Sequence, residues 1–502
     1  MLLLKKGVIE MKKALCVILC VLIAGCVSLP GVNAASVRDY TIVNPYENVD
    51  FDSWQGYKTQ FHCHTTASDG YLTIKEAIKT YYDYDYDIVA ITDHGTSNIA
   101  WNVAPQTIPI MREMRKERTG GAAVPIVPLS DEEYKAYTGG TAQSETRTHK
   151  NGLLDVYGGN ELNMATPFAD CHLTSYWSTY GQGYAGVFGD YETPVKEVNK
   201  DGGVTMLAHV GEYVYPQKDS EEHTGQLVDE YYVNKFARIF LDNQGSCAGM
   251  GINSATDDHT RCDRILYDQI LLKTIPNGVV PTAFTFSDSH NDVSVNDAYC
   301  ICYMPEQTDE ALRDCMLNGE LFAVSHFTKG YELNGMMEIE REFVYDRDET
   351  DWQSNATPVV TKIEVDEEND KIKVWGENFD TVTWVSAGNV VARTGGIEGG
   401  YTEFDLHSAD LLDDIYMYLR FYITGKDGIC YSQPFTVYRD GETFEPVFVP
   451  QTRDLPAFLR ALVTVLDWLI FKWSPVVWAF KYFAMGYDPI EQTINSIKSL
   501  FG

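Results

Sequence analysis

Three apolar runs in this chain end in histidine and aspartate, and this constrains the fold more than any other feature. The first leads into Phe61-His62-Cys63-His64-Thr65-Thr66-Ala67-Ser68-Asp69-Gly70, the second into Ile91-Thr92-Asp93-His94-Gly95, and the third into Phe286-Ser287-Asp288-Ser289-His290. Alternate residues of an extended strand face the same side. His62 and His64 therefore lie side by side with Cys63 turned away, and Asp288 and His290 repeat the spacing. Ile88-Val89-Ala90-Ile91 and Ala283-Phe284-Thr285-Phe286 read as buried strands. Between the first two runs, Thr73-Ile74-Lys75-Glu76 has the capping-box pattern and opens a helix through Ala77-Ile78-Lys79. Residues 58–94 thus read as strand, loop, helix and strand, with metal-ligand residue types at both strand ends. A barrel that gathers ligands from several strand ends onto one rim is assembled from such units.

In this order the motifs resemble those of the polymerase-and-histidinol-phosphatase (PHP) superfamily of metal-dependent phosphoesterases. His-x-His, then Ser-Asp-Gly, then Ile-Thr-Asp-His is that family's opening. Gly158-Gly159-Asn160-Glu161-Leu162 is similar to its Gly-x-Glu segment, Cys171-His172-Leu173 to its His-Leu ligand strand, and Met206-Leu207-Ala208-His209 to its Ala-His segment. The resemblance covers 37–345 and implies a distorted seven-stranded (β/α) barrel. It also implies nine metal ligands. His62, His64, Glu161 and Asp288 would hold one ion; Glu161 would bridge to a second, held also by His172 and His209; Asp69, His94 and His290 would hold a third. Imidazoles and carboxylates suit Mn, Zn or Fe, and ligand identity does not choose among them. Val210 stands where the family often has Pro, Asp69 where some relatives use His, and the stretches 94–161 and 209–288 are long enough for insertions above the site. Asp93 reads either as a carboxylate that orients a ligand histidine from behind, the favoured role, or as a strand-end hydrogen-bond acceptor, and not as a catalytic group. His149, His223, His259, His326 and His407 sit in no motif and read as ordinary hydrogen-bonding residues.

The chemistry implied is hydrolysis of phosphate esters by a metal-bound water in a di- or trinuclear site, with no side-chain nucleophile. Cys63 reads as a core residue, and the chain carries no P-loop, nucleotide-binding glycine pattern or serine elbow. Two other readings of the same ligands stay open: a metallohydrolase acting on C–N or C–O bonds, and a non-catalytic surface binding protein on the same scaffold. The formal net charge is −33, and the leader holds four lysines against Glu10, so the remainder is near −36. Extended nucleic-acid tracking needs a basic groove, so a small phosphorylated substrate fits this chain better.

Residues 1–34 read as an export signal: Lys12-Lys13 precede the apolar core Ala14 to Ala24, and Val32-Asn33-Ala34 fits a signal-peptidase site. Ile23-Ala24-Gly25-Cys26 competes as a lipobox, which would anchor the protein to a bacterial cell surface instead of secreting it. The eight cysteines beyond the leader lack regular spacing, so no disulfide framework is expected. After residue 350, short runs rich in Val, Ile, Thr and Tyr alternate with turn residues, which predicts a small all-β sandwich over 355–440. A proline-spaced linker, 441–455, leads to a hydrophobic helical tail, 456–501. Asp467, Lys472, Pro475 and Lys481 break the tail below the usual span of about 18 apolar residues. Its tryptophans and lysines over 456–487 suit either contact with a membrane surface or a helical hairpin docked on the rest of the chain.

Overall fold

The structure, a computed structural model, describes residues 39–106, 124–163, 172–182, 191–214, 226–254, 260–340, 357–395, 401–409, 415–439 and 441–451. The expected leader and hydrophobic tail lie outside these residues, as do Cys171, His223 and His259.

The βαβ unit forms as its sequence dictates. Strand β1 (Tyr40–Val43) precedes it, and β2 (Gln55–Gln60) runs parallel to β3 (Ile88–Val89). Helix α1 (Ile74–Asp83) crosses between them. Its capping box is complete: the Thr73 hydroxyl accepts from Glu76 N at 3.2 Å, and the Glu76 carboxylate accepts from Thr73 N at 2.8 Å. Ile74, Ala77, Ile78, Tyr81 and Tyr82 fall at helical spacing on one face, and all are buried. Helix α2 (Asp131–Thr138), outside the motifs, begins on a second such box, Ser130 with Glu133.

The short strand β4 (Leu154–Asp155) extends this sheet beside β3. A second, five-stranded sheet follows, in the order β5 (Asn160–Asn163), β6 (His172–Tyr176), β7 (Val204–Leu207), β8 (Cys247–Ser254) and β9 (Thr282–Phe286). It is antiparallel from β5 to β7 and parallel from β7 to β9. Helices α3 (Glu192–Lys200), α4 (Glu230–Asp242) and α5 (Thr260–Thr274) lie along its connections. Among the described residues no sheet closes on itself, so the backbone bonds do not form the distorted seven-stranded barrel as one continuous ring. The two sheets meet instead at isolated bridges, Cys63 with Ser289 and His94 with Glu161. The strands there end in the loops that carry the histidine and aspartate motifs, where only isolated bridges form.

The chain returns to the first sheet through β10 (Ala298–Met304), helix α6 (Asp309–Asn318) and β11 (Leu321–Ser325). A small hairpin, β12 (Glu332–Leu333) with β13 (Met336–Met337), follows. The predicted sandwich strands are present. One layer is β14 (Val359–Asp366), β15 (Lys371–Glu377) and β18 (Tyr401–Asp405). The other contains β16 (Phe379–Ser386), β17 (Asn389–Gly395) and β19 (Tyr418–Gly425). Trp384 of β16 stacks on Phe404 of β18, ring centroids 4.7 Å apart, and joins the layers. This segment is not sheet-separate from what precedes it. Strand β20 (Ile429–Tyr431) pairs with β11 and β19, and β21 (Phe435–Arg439) pairs with β1, so one eleven-stranded sheet runs through both parts. Tyr81 and Val89 accordingly share a core with Trp384, Phe421 and Val437. No helix of the described residues is long and apolar enough to cross a membrane.

One strand of this scaffold carries a pH-sensitive carboxylate. Burial pushes the Asp155 carboxyl up to about 7, despite the hydrogen bond it accepts from Trp101 N at 3.0 Å. The fold therefore favours the neutral acid. That contribution is complete below the ordinary carboxylate range and is lost as pH rises through about 7. Asp155→Asn keeps an acceptor for Trp101 N and cannot ionise. Its urea midpoint should equal that of wild type near pH 4, then exceed it by a margin that widens to about pH 7 and is flat above. A margin that does not change with pH would refute this.

Candidate metal centre

All nine residues singled out in the sequence lie at strand ends on one side of the two sheets. His62, His64 and Asp69 follow β2; His94 follows β3; Glu161 lies on β5; His172 opens β6; His209 follows β7; Asp288 and His290 follow β9. Close backbone approaches hold the loops in place. A Cβ on Gly70 would lie 2.5 Å from His64 O, and one on Gly159 2.3 Å from Ile91 O, so only glycine fits either place. His209 (φ 30°) and Asp288 (φ 47°) adopt left-handed backbone, which costs a non-glycine residue on the order of 1 kcal/mol and gathers at functional sites.

Glu161 is the hub. Its Oε1 lies 2.8 Å from His172 Nδ1, 3.2 Å from His209 Nε2 and 3.5 Å from His62 Nε2; its Oε2 lies 2.9 Å from His94 Nδ1 and 3.2 Å from His64 Nε2. Asp288 Oδ1 is 3.3 Å from His62 Nε2 and 3.0 Å from His64 Nε2. Asp69 Oδ1 is 3.4 Å from His290 Nε2 and 3.6 Å from His94 Nε2. Three sets of ligand atoms are close enough to share an ion: His62, His64 and Asp288; His62, Glu161 and His209; and Asp69, His94 and His290 together with His64. The first lacks the Glu161 expected with it, and the third adds His64 to the three residues expected. In the second, His62 stands beside Glu161 and His209, while His172 reaches the same carboxylate.

The donor set fits cations. His62 Nε2, His64 Nε2 and Glu161 Oε2 are buried and have no hydrogen-bond partner among the described residues. Buried polar atoms of this kind are rare unless another ligand completes them. The far sides of the rings support the same reading. His290 Nδ1 faces the Asp288 carbonyl at 2.8 Å. A carbonyl only accepts, so Nδ1 carries the proton, and in the neutral ring Nε2 turns its lone pair to the Asp69 carboxylate. Two acceptors face each other there, which a cation resolves. The Ser68 hydroxyl gives its proton to Asp93 at 2.7 Å, leaving its oxygen to accept from His64 Nδ1 at 3.2 Å. Neutral His64 then also directs an Nε2 lone pair at Asp288 and Glu161.

The charges follow this crowding. Burial would raise the Glu161 carboxyl, but His94, His172 and His62 outweigh it and hold the group well below the usual range. Asp69 is likewise lowered against burial by His94 and His290. Burial lowers His62 and His172. It also opposes charge on His64, yet the Asp288 and Glu161 carboxylates beside it lift that ring well above its ordinary value. The centre thus holds ionised carboxylates whose charge is offset by imidazoles wherever no cation sits.

Asp93 does not touch a ligand histidine. Its carboxylate accepts from Thr65 N, Thr65 Oγ1 and Ser68 Oγ, each at 2.7 Å, and so fixes the loop that carries Asp69. The group against His62 is instead Thr92, whose Oγ1 lies 2.6 Å from His62 Nδ1. Sequence reasoning missed it, although it sits in the same Ile-Thr-Asp-His motif. Cys63 is buried with its Sγ 3.5 Å from Ala90 O, away from the ligands, and burial pushes its thiol up. None of the seven described cysteines forms a disulfide. His149 and His407 pair with Asp87 and Asp370, and His326 with the Asp427 carbonyl.

No family model and no curated protein matches the chain. Among solved structures it is similar to a two-domain protein from Bacteroides vulgatus containing a predicted PHP-like metal-dependent phosphoesterase. The identity is 11% and the TM-score 0.35, over 77% of this chain and 96% of that one. It is also similar to PsfC from Pseudomonas syringae (12% identity, TM-score 0.31, 52% and 88% covered) and to a lesion-specific endonuclease from Pyrococcus furiosus (10%, 0.29, 52% and 56%). These likenesses are too distant to bear on function.

Proposed function

We propose that the chain is a metal-dependent hydrolase of the PHP superfamily, acting on phosphate esters. One observation carries the reading: six imidazoles and three carboxylates converge at strand ends around buried ligand atoms that have no hydrogen-bond partner among the described residues. On this reading β2, β3, β5, β6, β7, β8 and β9 are the seven staves of a distorted barrel, with the Cys63–Ser289 and His94–Glu161 bridges at its seams. His62, His64, Glu161 and Asp288 would hold one divalent ion, Glu161 with His172 and His209 a second, and Asp69, His94 and His290 a third.

Divalent ions at such a centre supply an activated water and offset phosphoryl charge. The protein's own part is to fix and shield them. His62, His64 and Glu161 are sealed in, whereas the side chains of His290 (28% exposed), Asp288 (15%) and His172 (14%) keep an open edge, which marks the side of substrate approach. Cys63, buried and held as the thiol, does not serve as a nucleophile. The net charge of −33 supports a small phosphorylated substrate over a nucleic-acid track. The basic, then apolar, leader supports action outside the cytoplasm.

The test is hydrolysis of p-nitrophenyl phosphate and of its bis-ester by the purified chain with Mn²⁺ or Zn²⁺. Turnover that requires the metal and stops with chelator is expected, and the preferred ester separates monoesterase from diesterase. A metal-loaded chain that cleaves neither ester would move the assignment to C–N or C–O hydrolysis or to a binding role.

A further inference from the structure

We propose that Asp263 is a positioning residue of the metal centre, holding His209 in the backbone conformation that turns its imidazole onto Glu161. The proposal rests on the metal-centre reading above. Strand β7 ends at Leu207, and two residues later His209 sits at φ 30°, ψ 47°, in left-handed space. A histidine stays there only where its surroundings over-determine it. Its side chain caps no backbone N–H of the 3-10 turn Val210–Tyr213 that it opens, and its tie to that turn is the Nδ1 contact with the Glu212 carboxylate at 3.4 Å, which leaves the turn's backbone to be held from elsewhere. One such turn is too short to be stable alone.

A different element supplies the restraint. Asp263, fully buried on α5, accepts a hydrogen bond from Gly211 N at 2.5 Å. A carboxylate receiving a backbone N–H makes one of the stronger bonds open to a protein. Helix α5 is itself immobilised, since the next residue, Arg264, forks onto Glu338 at 3.0 and 3.1 Å, and Asp268 receives both arms of Arg420. On the strand side, Ala208 N bonds to His172 O at 3.2 Å. His209 is thus gripped just before and just after its irregular residue. The grip matters because His209 Nε2 must stay near both Glu161 Oε1, at 3.2 Å, and His172 Nδ1, at 3.4 Å.

Metal binding is measured on the full chain by titration with Mn²⁺ and Zn²⁺ and by elemental analysis, for wild type, Asp263→Asn, Asp263→Ala and His209→Ala. Asp263→Ala should weaken one ion by about 10- to 100-fold, the usual effect of removing a group that orients a ligand. That ion should be the one His209→Ala loses, and the remaining metal content should be unchanged. Asp263→Asn, which keeps an acceptor for Gly211 N, should stay within a few-fold of wild type. Unchanged affinity in Asp263→Ala overturns the proposal, as does an Asn variant as poor as Ala, or uniform loss of all ions in both. A wild-type chain that binds neither metal removes the metal-centre reading itself, and this proposal with it.

Discussion

Asp288→Ala leaves a folded chain that no longer holds its full complement of metal and no longer hydrolyses phosphate esters. Asp288 Oδ1 is the acceptor on which His62 and His64 both converge, at 3.3 and 3.0 Å, so its removal opens one coordination set at its centre. The loss should exceed the roughly 100-fold that follows removal of an outer partner, because a direct ligand is deleted. Folding is spared for an electrostatic reason: imidazoles crowd this carboxylate and drive it far below its usual range, but neighbouring Glu161 and Asp69 remain to offset them. Backbone strain can be separated from ligation. Asp288 sits at φ 47°, where alanine is strained and glycine is not. Asp288→Gly should therefore be as inactive as Asp288→Ala while more stable. Full activity with normal metal content in either variant would end the assignment.

Asp268→Ala should destabilise the protein by about 3–5 kcal/mol, the cost of removing one partner from a buried ion pair and leaving Arg420 only its longer contact with Glu338. Arg420, on β19, donates to Asp268 Oδ1 and Oδ2 at 2.8 and 2.7 Å, and Tyr418 OH adds a third bond at 2.7 Å. Both charged side chains are almost fully buried. Glu338 then links Arg420 to Arg264 at 3.4 and 3.0 Å, so the cluster binds α5 to the C-terminal strands. A double variant, Asp268→Leu with Arg420→Met, should lose much less than the single change, since it leaves no unpaired charge. The measurement is the urea midpoint of each variant. A single variant within about 1 kcal/mol of wild type would show that water or another group reaches Arg420.

The nine candidate residues were legible because each sits in a short motif whose geometry is local. Strand alternation places His62 beside His64, and their ring centroids are 5.0 Å apart. Thr73 and Glu76 announce α1 because a capping box closes over three residues. The texture after 350 likewise revealed the sandwich strands, since turn residues punctuate each hairpin. What escaped was set by partners distant in sequence. Asp93 was read either as orienting a ligand histidine or as a strand-end acceptor, but the residues it holds were not legible: it lies 28 residues from Thr65 and 25 from Ser68, and Ser68 in turn faces His64 Nδ1.

The sequence by itself determined the chemistry on offer: which imidazoles and carboxylates stand at strand ends, and which faces are apolar. These depend on residue type and on spacings of two to four, which the backbone enforces locally. Only the tertiary structure decided how those ends meet. Among the described residues it left both sheets open, met at the Cys63–Ser289 and His94–Glu161 bridges, and ran one sheet from β2 and β3 into the C-terminal segment through β11 and β20. It also set Asp263 beneath the turn after His209. The physical reason is that pairing between strands and the burial of charge are settled by neighbours far apart in the chain, and no local periodicity records them.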